Sequence, residues 1–148
     1  IPSVNITGEI YFLMNESDVQ KILQHPDTMI GSDGLPNDKH PHPRLWGTFP
    51  RVLGHYARDI GIFTLEEAVR KMTSLSARTF KLKNRGELIP GSFADVVIFD
   101  PKTVKDNATY DNPLKPSEGI HTVIVNGTIV FENGIHSSSR PGVPLLRS

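Results

Sequence analysis

The stretch that decides the fold runs from residue 27 to residue 51 and reads DTMIGSDGLPNDKHPHPRLWGTFPR. A short apolar pair in it leads into Gly-Ser-Asp-Gly at residues 31–34. Short apolar runs that end at turn residues are typical of buried strands, so residues 28–32 are predicted to form one strand that ends at Asp33. A carboxylate at the end of an inner strand, between glycines that let other groups approach, is well placed for chemistry.

The loop after Asp33 contains residues that are unusual in a connection. Residues 34–51 hold two histidines, two arginines, the single tryptophan and four prolines. Long loops without regular structure inside a compact domain are usually functional. This loop is therefore the first place to look for a site.

The elements upstream of this stretch suggest a barrel. Residues 6–13 are β-rich and favour a strand. Ser17 begins an S-x-x-Q capping box, and apolar residues then recur at helical spacing until Pro26, which predicts a short helix. Helix, linker, buried strand and then Asp33 is the order expected near the end of a (β/α)₈ barrel, whose sites lie at the C-terminal ends of the strands.

Three helices are predicted downstream. The first covers residues 49–60, has Pro50 in its first turn, and carries Val52, Leu53 and Tyr56. Thr64 begins a second capping box, followed by a four-residue apolar stripe at helical spacing, Leu65, Ala68, Val69 and Met72. A third helix, over residues 75–82, is predicted to be capped by Ser74.

Beyond Lys83 the pattern changes to that of strands. Residues 96–99 form an apolar run of strand length. Residues 122–125 and 128–131 flank Asn126-Gly127, which predicts a hairpin with a type I′ turn. Residues 101–119 are predicted to be a loop or crossing segment, and the tail from Ser137 to be poorly ordered or draped over a neighbouring surface.

Composition narrows the classes of function. The 148 residues can bury a core, and 16 basic residues balance 16 acidic ones, so no nucleic-acid or membrane-surface partner is indicated. There is no apolar run long enough to cross a bilayer and no signal-peptide pattern. A cytoplasmic location is taken as the default and is not inferred. The absence of cysteine excludes disulfides. The chain begins Ile-Pro, without an initiator methionine, which fits a fragment or a processed product.

Blocks spread over nearly the whole chain resemble one enzyme family. Residues 31–54, GSDGLPNDKHPHPRLWGTFPRVLG, resemble the signature of the D-aminoacylases, or N-acyl-D-amino-acid deacylases, zinc enzymes of the amidohydrolase superfamily. The resemblance continues, in the family's order, through LEEAVRKMT at 65–73, Arg85-Gly86, GSFADVVIFD at 91–100 and VIVNG at 123–127. The first block is specific to the deacylases, whereas ADVVIFD and VNG are shared across the superfamily.

The resemblance implies an α/β plus β architecture. Residues 1–83 would be the last unit or units of a metal-dependent-hydrolase (β/α)₈ barrel, and residues 84–148 part of a small β-sandwich with a mobile tail. The chain would thus be the C-terminal portion of an enzyme. Alone it is expected to be inactive, to expose apolar surface and to self-associate.

The resemblance also implies a role for Asp33. In the family, the aspartate of the Ser-Asp-Gly motif lies beside the metal centre and handles protons, and Asp33 matches it. It would act as general acid/base, taking a proton from the zinc-bound water that attacks the amide carbonyl and passing it to the departing amine. From the residues alone, Asp33-Gly34 is equally well a turn pair.

The remaining loop residues are weaker candidates. Arg44 and Arg51 carry guanidinium forks that suit a carboxylate, and Arg44, closer to Asp33 in sequence, is the candidate for substrate binding. His40 and His42 form H-P-H, but the family's His-x-His metal pair belongs to the first barrel strand. Packing or closure over the substrate is therefore favoured for them, and no metal ligand is assigned in this chain.

Two further expectations concern packing. Trp46 and Phe49 favour a packing role, and Asp95 and Asp100 are interpreted as structural. Without the rest of a barrel, the histidines, Arg44 and Trp46 are expected to have nothing to pack on, which would make loop 34–51 the most mobile internal segment.

The predicted function is zinc-dependent hydrolysis of a small N-acyl-D-amino acid to a carboxylate and a D-amino acid. The zinc ligands are expected mostly upstream of this chain. Two alternatives stay open. One is another amidohydrolase, such as a cyclic-amide hydrolase or a dipeptidase. The other is a non-catalytic β module when the chain is isolated.

Overall fold

The computed structural model describes residues 14–36 and 39–145. Within them, a helical part precedes an antiparallel sheet. The helical elements are α1 (Glu16–Gln24), α2 (Arg44–Arg51), a π-helix (Val52–Ile60), α3 (Leu65–Met72) and α4 (Ser74–Thr79). The strands are β1 (Val96–Phe99), β2 (Ile120–Val125), β3 (Thr128–Glu132) and β4 (Ile135–His136), in the order β1-β2-β3-β4. The predicted strand at residues 6–13 lies outside the described residues.

Helix α1 confirms the predicted short helix but not its cap. The side chain of Asn15 accepts a hydrogen bond from the Ser17 N–H at 2.9 Å, so Asn15 is the N-cap and Ser17 lies within the first turn. Asparagine is among the best N-cap residues, and here it precedes the serine. The helix ends at Gln24, two residues before Pro26.

The predicted strand at residues 28–32 is wrong for this chain. None of these residues belongs to a strand, and Ile30 donates its N–H to the Lys71 carbonyl at 3.2 Å. An inner barrel strand needs neighbouring strands for its backbone groups. The strands of the described residues form only the β1–β4 sheet, so this segment is held by a helix end instead.

The helix predicted over 49–60 begins earlier and changes its type. Helix α2 starts at Arg44 and contains Pro50, and the chain continues directly as the π-helix. Proline has no N–H to donate to the carbonyl four residues back. That carbonyl, on Trp46, accepts from the Ser117 hydroxyl at 2.9 Å instead. The hydrogen bond missing at Pro50 is, in our interpretation, the reason that the helix widens into a π-helix after Arg51.

Thr64 is confirmed as the N-cap in the second predicted capping box, and the Glu67 carboxylate of that box binds Arg70. The Thr64 hydroxyl accepts from the Glu67 N–H at 3.2 Å at the start of α3. Helix α4 is shorter than predicted, and Ser74 is its first residue rather than its cap, a position that Thr73 occupies.

The sheet follows the predicted pattern. Strand β1 has the predicted bounds, and the β2–β3 hairpin is confirmed. Asn126 and Gly127 both have positive φ, 46° and 78°, as a type I′ turn requires. Strand β4 was not predicted, although Asn133-Gly134 repeats the same dipeptide signal.

The tail from Ser137 runs beside the sheet as far as it is described. The Ser137 N–H donates to the Val130 carbonyl at 2.9 Å, and the Asn126 side chain donates to the Pro141 carbonyl at 2.7 Å. The described tail is therefore draped on β3 and the β2–β3 turn.

One core joins the helical part to the crossing segment, residues 101–119. Its buried members are Val52, Leu53, Tyr56, Ala57, Ala68 and Val104. Val104 is fully buried, although the sequence placed it in a loop. By contrast, Val97 and Ile98 of β1 are 50% exposed, so the described residues leave this strand, which was expected to be of the buried type, largely uncovered. No described helix is long and apolar enough to cross a membrane.

The π-helix and the crossing segment meet backbone to backbone. A Cβ placed on Gly54 would lie 2.4 Å from the Val104 carbonyl oxygen. Arg58, one turn further along, donates to that same oxygen at 2.7 Å and to the Lys102 carbonyl at 3.2 Å. Only glycine at position 54 allows this approach.

Gly54→Ala is therefore expected to destabilise the fold. The collision is with backbone, which cannot rotate away, and overpacking of this kind costs about 1–3 kcal/mol. The gain in helix propensity, up to about 1 kcal/mol, is too small to offset it. The measurement is the thermal unfolding midpoint. Gly142→Ala is the matched control, because a Cβ there meets nothing within 4 Å. Equal midpoints for both variants would contradict the close approach.

Candidate functional site

Asp33 has a left-handed backbone conformation, as do four other non-glycine residues among those described. Its φ is +47°, in the left-handed region, which costs a residue with a Cβ about 1–2 kcal/mol although aspartate tolerates it better than most. Its side chain is 77% exposed. Strained conformations at exposed polar residues are common in functional sites and persist only where the surroundings hold them.

Arg44 holds Asp33 at two points. Its Nη2 lies 2.9 Å from the Asp33 carboxylate, and its Nε donates to the Asp33 carbonyl at 2.9 Å. The two predicted site residues are thus brought together. An exposed ion pair of this kind contributes only about 0–1 kcal/mol to stability. Its effect is to fix where the carboxylate lies.

The start of α2 determines where Arg44 lies. Arg44 is the first residue of that helix, and its N–H donates to Nδ1 of His42 at 3.0 Å. The Thr48 hydroxyl donates to the Arg44 carbonyl at 2.8 Å, one turn further along. The His42 ring therefore satisfies one of the N–H groups that a helix start leaves without a partner.

The loop histidines contact the crossing segment. His40 Nε2 lies 2.7 Å from the Tyr110 carbonyl oxygen. The His42 ring meets the Tyr110 ring edge-on, with centroids 5.2 Å apart and Nε2 3.4 Å from the tyrosine hydroxyl. The expectation that these loop residues have nothing to pack on is wrong, because the crossing segment supplies their partners.

Trp46 and Phe49, for which packing was expected, are 39% and 43% exposed within this chain. Arg51, Asp95 and Asp100 have polar partners. Arg51 pairs with Asp106 at 3.2 Å, which ties it to the crossing segment. Asp95 accepts from the Asn126 N–H at 2.8 Å at the hairpin turn and pairs with Arg85. Asp100 accepts from the Lys102 N–H at 2.8 Å, and this hydrogen bond is the main reason that the pKa of Asp100 lies below its ordinary value.

Lys71 was not singled out in the sequence analysis. It is fully buried, and its ammonium donates to the carbonyls of His25 at 2.5 Å and Thr28 at 3.3 Å. Four residues after Glu67 on α3, it has the spacing of a solvent-exposed ion pair. It does pair with the Glu67 carboxylate, at 3.6 Å, but from a fully buried position, and it also fixes the segment that leads to Asp33.

The described residues do not form a metal site. In residues 14–36 and 39–145, no three histidine, aspartate or glutamate side chains lie close enough together to hold an ion. The ring nitrogens of His40 and His42 face Tyr110 and the Arg44 N–H. The zinc that the resemblance implies therefore finds no ligand set in this part of the chain.

A separate apolar groove of about 770 Å³ lies between α3, α4 and β1. Val69, Met72, Val97 and Phe99 are among its lining residues, whereas neither Asp33 nor Arg44 lines it. The groove is therefore distinct from the Asp33–Arg44 site.

Comparison with known proteins identifies the family. The model of the amidohydrolase family matches residues 7–131.

This chain belongs to the amidohydrolase family.

The amidohydrolase relatives include deacylases. The chain is 55% identical to a D-aminoacylase of Alcaligenes xylosoxydans xylosoxydans over its whole length, which is 31% of that protein. It is 56% identical to an N-acyl-D-glutamate deacylase of the same organism, over 95% of this chain and 28% of that protein. A dihydroorotase of Lactobacillus acidophilus is 31% identical over 58% of this chain and 23% of its own length. The chain spans about a third or less of these amidohydrolases.

Solved structures of deacylases also superpose on this chain. A crystal structure of D-aminoacylase superposes with a TM-score of 0.85 at 58% identity, over 87% of this chain and 27% of that one. The N-acyl-D-glutamate deacylase of Bordetella bronchiseptica, solved with zinc and a phosphonate inhibitor, gives a TM-score of 0.86 at 55% identity, over 93% and 29%. The described part of this amidohydrolase therefore has the deacylase conformation.

The loop of this amidohydrolase is expected to loosen in acid through His42. Burial, then the charge of Arg44, lowers the pKa of His42 below its ordinary value of 6.5, against the opposing charge of Asp33. The folded state thus binds the proton less well than the unfolded state. Stability from this group is complete above about pH 6.5 and is lost as pH falls from there through the lowered pKa.

The measurement is an NMR titration of the His42 ring together with thermal unfolding at several pH values. His42→Asn is the control, because its amide oxygen can still accept the Arg44 N–H but does not titrate. The pH dependence of unfolding should shrink in the variant. A His42 pKa at or above 6.5 would contradict the packing described above.

Proposed function

We propose that this chain is the C-terminal part of a zinc-dependent amidohydrolase that hydrolyses N-acyl-D-amino acids to a carboxylate and a D-amino acid. The observation that carries the proposal is the pairing of Asp33 with Arg44 in a strained, exposed conformation. The identity of 55% to a D-aminoacylase over the whole chain supports the same reaction.

Asp33 is the proposed general acid/base. Its carboxylate is accessible, which a group that must meet water and substrate requires. It takes the proton of the attacking water and then delivers a proton to the nitrogen of the departing amine. Both proton transfers use the Asp33 carboxylate. For the reaction, the position of this carboxylate therefore matters more than its contribution to the stability of the fold.

Arg44 is the proposed binding residue for the substrate carboxylate. An N-acyl-amino acid carries that carboxylate next to the amide that is hydrolysed, and a guanidinium can contact two carboxylates from different edges. Because Arg44 lies 2.9 Å from the Asp33 carboxylate, an anion bound to it would bring the amide close to the acid/base group.

The architecture that follows is also a proposal. Residues 1–83 would form the end of the catalytic (β/α)₈ barrel and residues 84–148 part of a β-sandwich. The zinc ligands would come from upstream of this chain, because no ligand set lies among the residues that the structure describes. Alone, the chain would carry the acid/base carboxylate without the metal and would be inactive.

A second candidate function is hydrolysis of a cyclic amide. The observation in its favour is the match to a dihydroorotase, which covers 58% of the chain at 31% identity. The deacylase relatives match almost the whole chain at much higher identity. An activity panel of N-acyl-D-amino acids and cyclic amides on the full-length enzyme separates the two.

Asp33→Asn in the full-length enzyme is expected to lower kcat by at least ~10²-fold, since positioned acid/base groups contribute ~10²–10⁴-fold. Zinc content and unfolding midpoint should stay close to those of the parent. Asp27→Asn is the control, an exposed aspartate six residues upstream. Turnover by the Asp33 variant near the parent rate would reduce Asp33 to a turn residue.

The isolated chain is expected to self-associate. Val97 lines the apolar groove and is 50% exposed, and β1 has an unpaired edge within the described sheet. Sedimentation velocity over a range of concentrations should show species larger than the monomer. Val97→Lys should shift the distribution towards monomer, whereas Val143→Lys on the tail should not. A clean monomer of the parent chain at high concentration would refute this.

A further inference from the structure

We propose that Tyr110, in the crossing segment, is a positioning residue for Asp33 and acts through His42 and Arg44. The inference rests on the proposed acid/base function of Asp33 and extends it, because it places part of the control of that carboxylate 77 residues downstream in sequence. Three consecutive contacts connect Tyr110 to Asp33.

The first contact joins Tyr110 to the H-P-H loop. Its ring meets the His42 ring edge-on at 5.2 Å and 80°, and its carbonyl oxygen lies 2.7 Å from His40 Nε2. Edge-to-face contacts between rings have a preferred geometry, so they orient both partners. The side chain of Tyr110 thus acts on His42, while its backbone acts on His40.

The second contact joins His42 to the start of α2. Nδ1 of His42 accepts the Arg44 N–H at 3.0 Å, so this ring nitrogen carries no proton. Pro43, the N-cap residue, offers no side-chain hydrogen bond to the helix. The orientation of the His42 ring therefore helps to set where the helix, and with it Arg44, begins.

The third contact joins Arg44 to Asp33. The guanidinium binds the carboxylate and the carbonyl of the same residue, both at 2.9 Å. These two points hold a backbone with φ of +47°. A shift of Arg44 moves both points together, and displacement of a reacting group by about 1 Å can cost ~10²-fold in rate.

The exposed fractions of Tyr110 and Asp33 indicate that their contacts position the Asp33 carboxylate and add little to the stability of the fold. Tyr110 is 45% exposed and the Asp33 side chain 77%. Contacts between exposed groups contribute little to the free energy of unfolding. Loss of the Tyr110 ring should thus leave the fold intact and displace the acid/base carboxylate.

The test is a double-mutant cycle on the zinc-loaded full-length enzyme with N-acyl-D-amino acid substrate at saturation. Tyr110→Ala is made in the parent and in the Asp33→Asn background. In the parent, kcat should fall by about 10- to 100-fold. In the Asp33→Asn background the same change should alter kcat by less than about twofold, because the group that Tyr110 positions is already absent.

Two further variants serve as matched controls. Leu114→Ala removes an equally exposed side chain from the same segment and should leave kcat near that of the parent. Tyr110→Phe keeps the ring edge and should retain at least about a third of parent kcat, since the hydroxyl lies 3.4 Å from His42. If Tyr110→Ala does not fold, Tyr110→Leu takes its place in the cycle.

The outcomes separate the two proposals. A strong loss in Asp33→Asn with an equal Tyr110 effect in both backgrounds would overturn the positioning role and leave the acid/base role standing. Full kcat in Tyr110→Ala would do the same. A parental rate in Asp33→Asn would overturn the acid/base role and, with it, the inference for Tyr110.

Discussion

The structure depends on the contact between the Val104 backbone and the π-helix. A crossing segment that the sequence marks only as polar and proline-containing inserts one fully buried valine into the core of the helical part. Gly54 provides the space, and Arg58 holds the valine carbonyl. Because the segment is fixed there, its later residues lie over the H-P-H loop and over the carbonyl that Pro50 leaves without a donor. The sheet and the helices are therefore not independent units within the described chain.

The accuracy of the sequence-based predictions differed from one element to the next. Signals carried by a few adjacent residues were reliable: the Thr64 cap of α3, strand β1 and the Asn126-Gly127 turn are present as predicted. Predictions were wrong or missing where the structure of a segment depends on contacts with residues far away in sequence. Residues 28–32 have the composition of a strand but lack neighbours with which to pair, and Val104 and Lys71 become buried only because distant segments meet them. Arg44 was preferred to Arg51 because it lies closer to Asp33 in sequence, but neither its ion pair with Asp33 nor the contact of Tyr110 with His42 was predicted.

The Asp33–Arg44 site is likewise held by contacts that are close in sequence and by contacts that are distant in sequence. Its charged groups are exposed, so no single contact dominates its stability. What the fold supplies is position: Lys71 fixes the segment before Asp33, and α2 presents Arg44 after it. The proposed acid/base role of Asp33 would require such support on both sides, since proton transfer depends on where the carboxylate lies.

The two Asn-Gly turns also decide in what order the chain can fold. Strands β2, β3 and β4 pair with one another through turns at residues 126–127 and 133–134, whereas β1 pairs with β2 across the crossing segment. Hairpins of this kind form within about 1–10 μs, because little loop entropy is lost. Insertion of Val104 beside Gly54 instead joins segments about fifty residues apart, which is slower. The meander can thus be in place before the core closes, with its apolar side chains in water until the helices arrive.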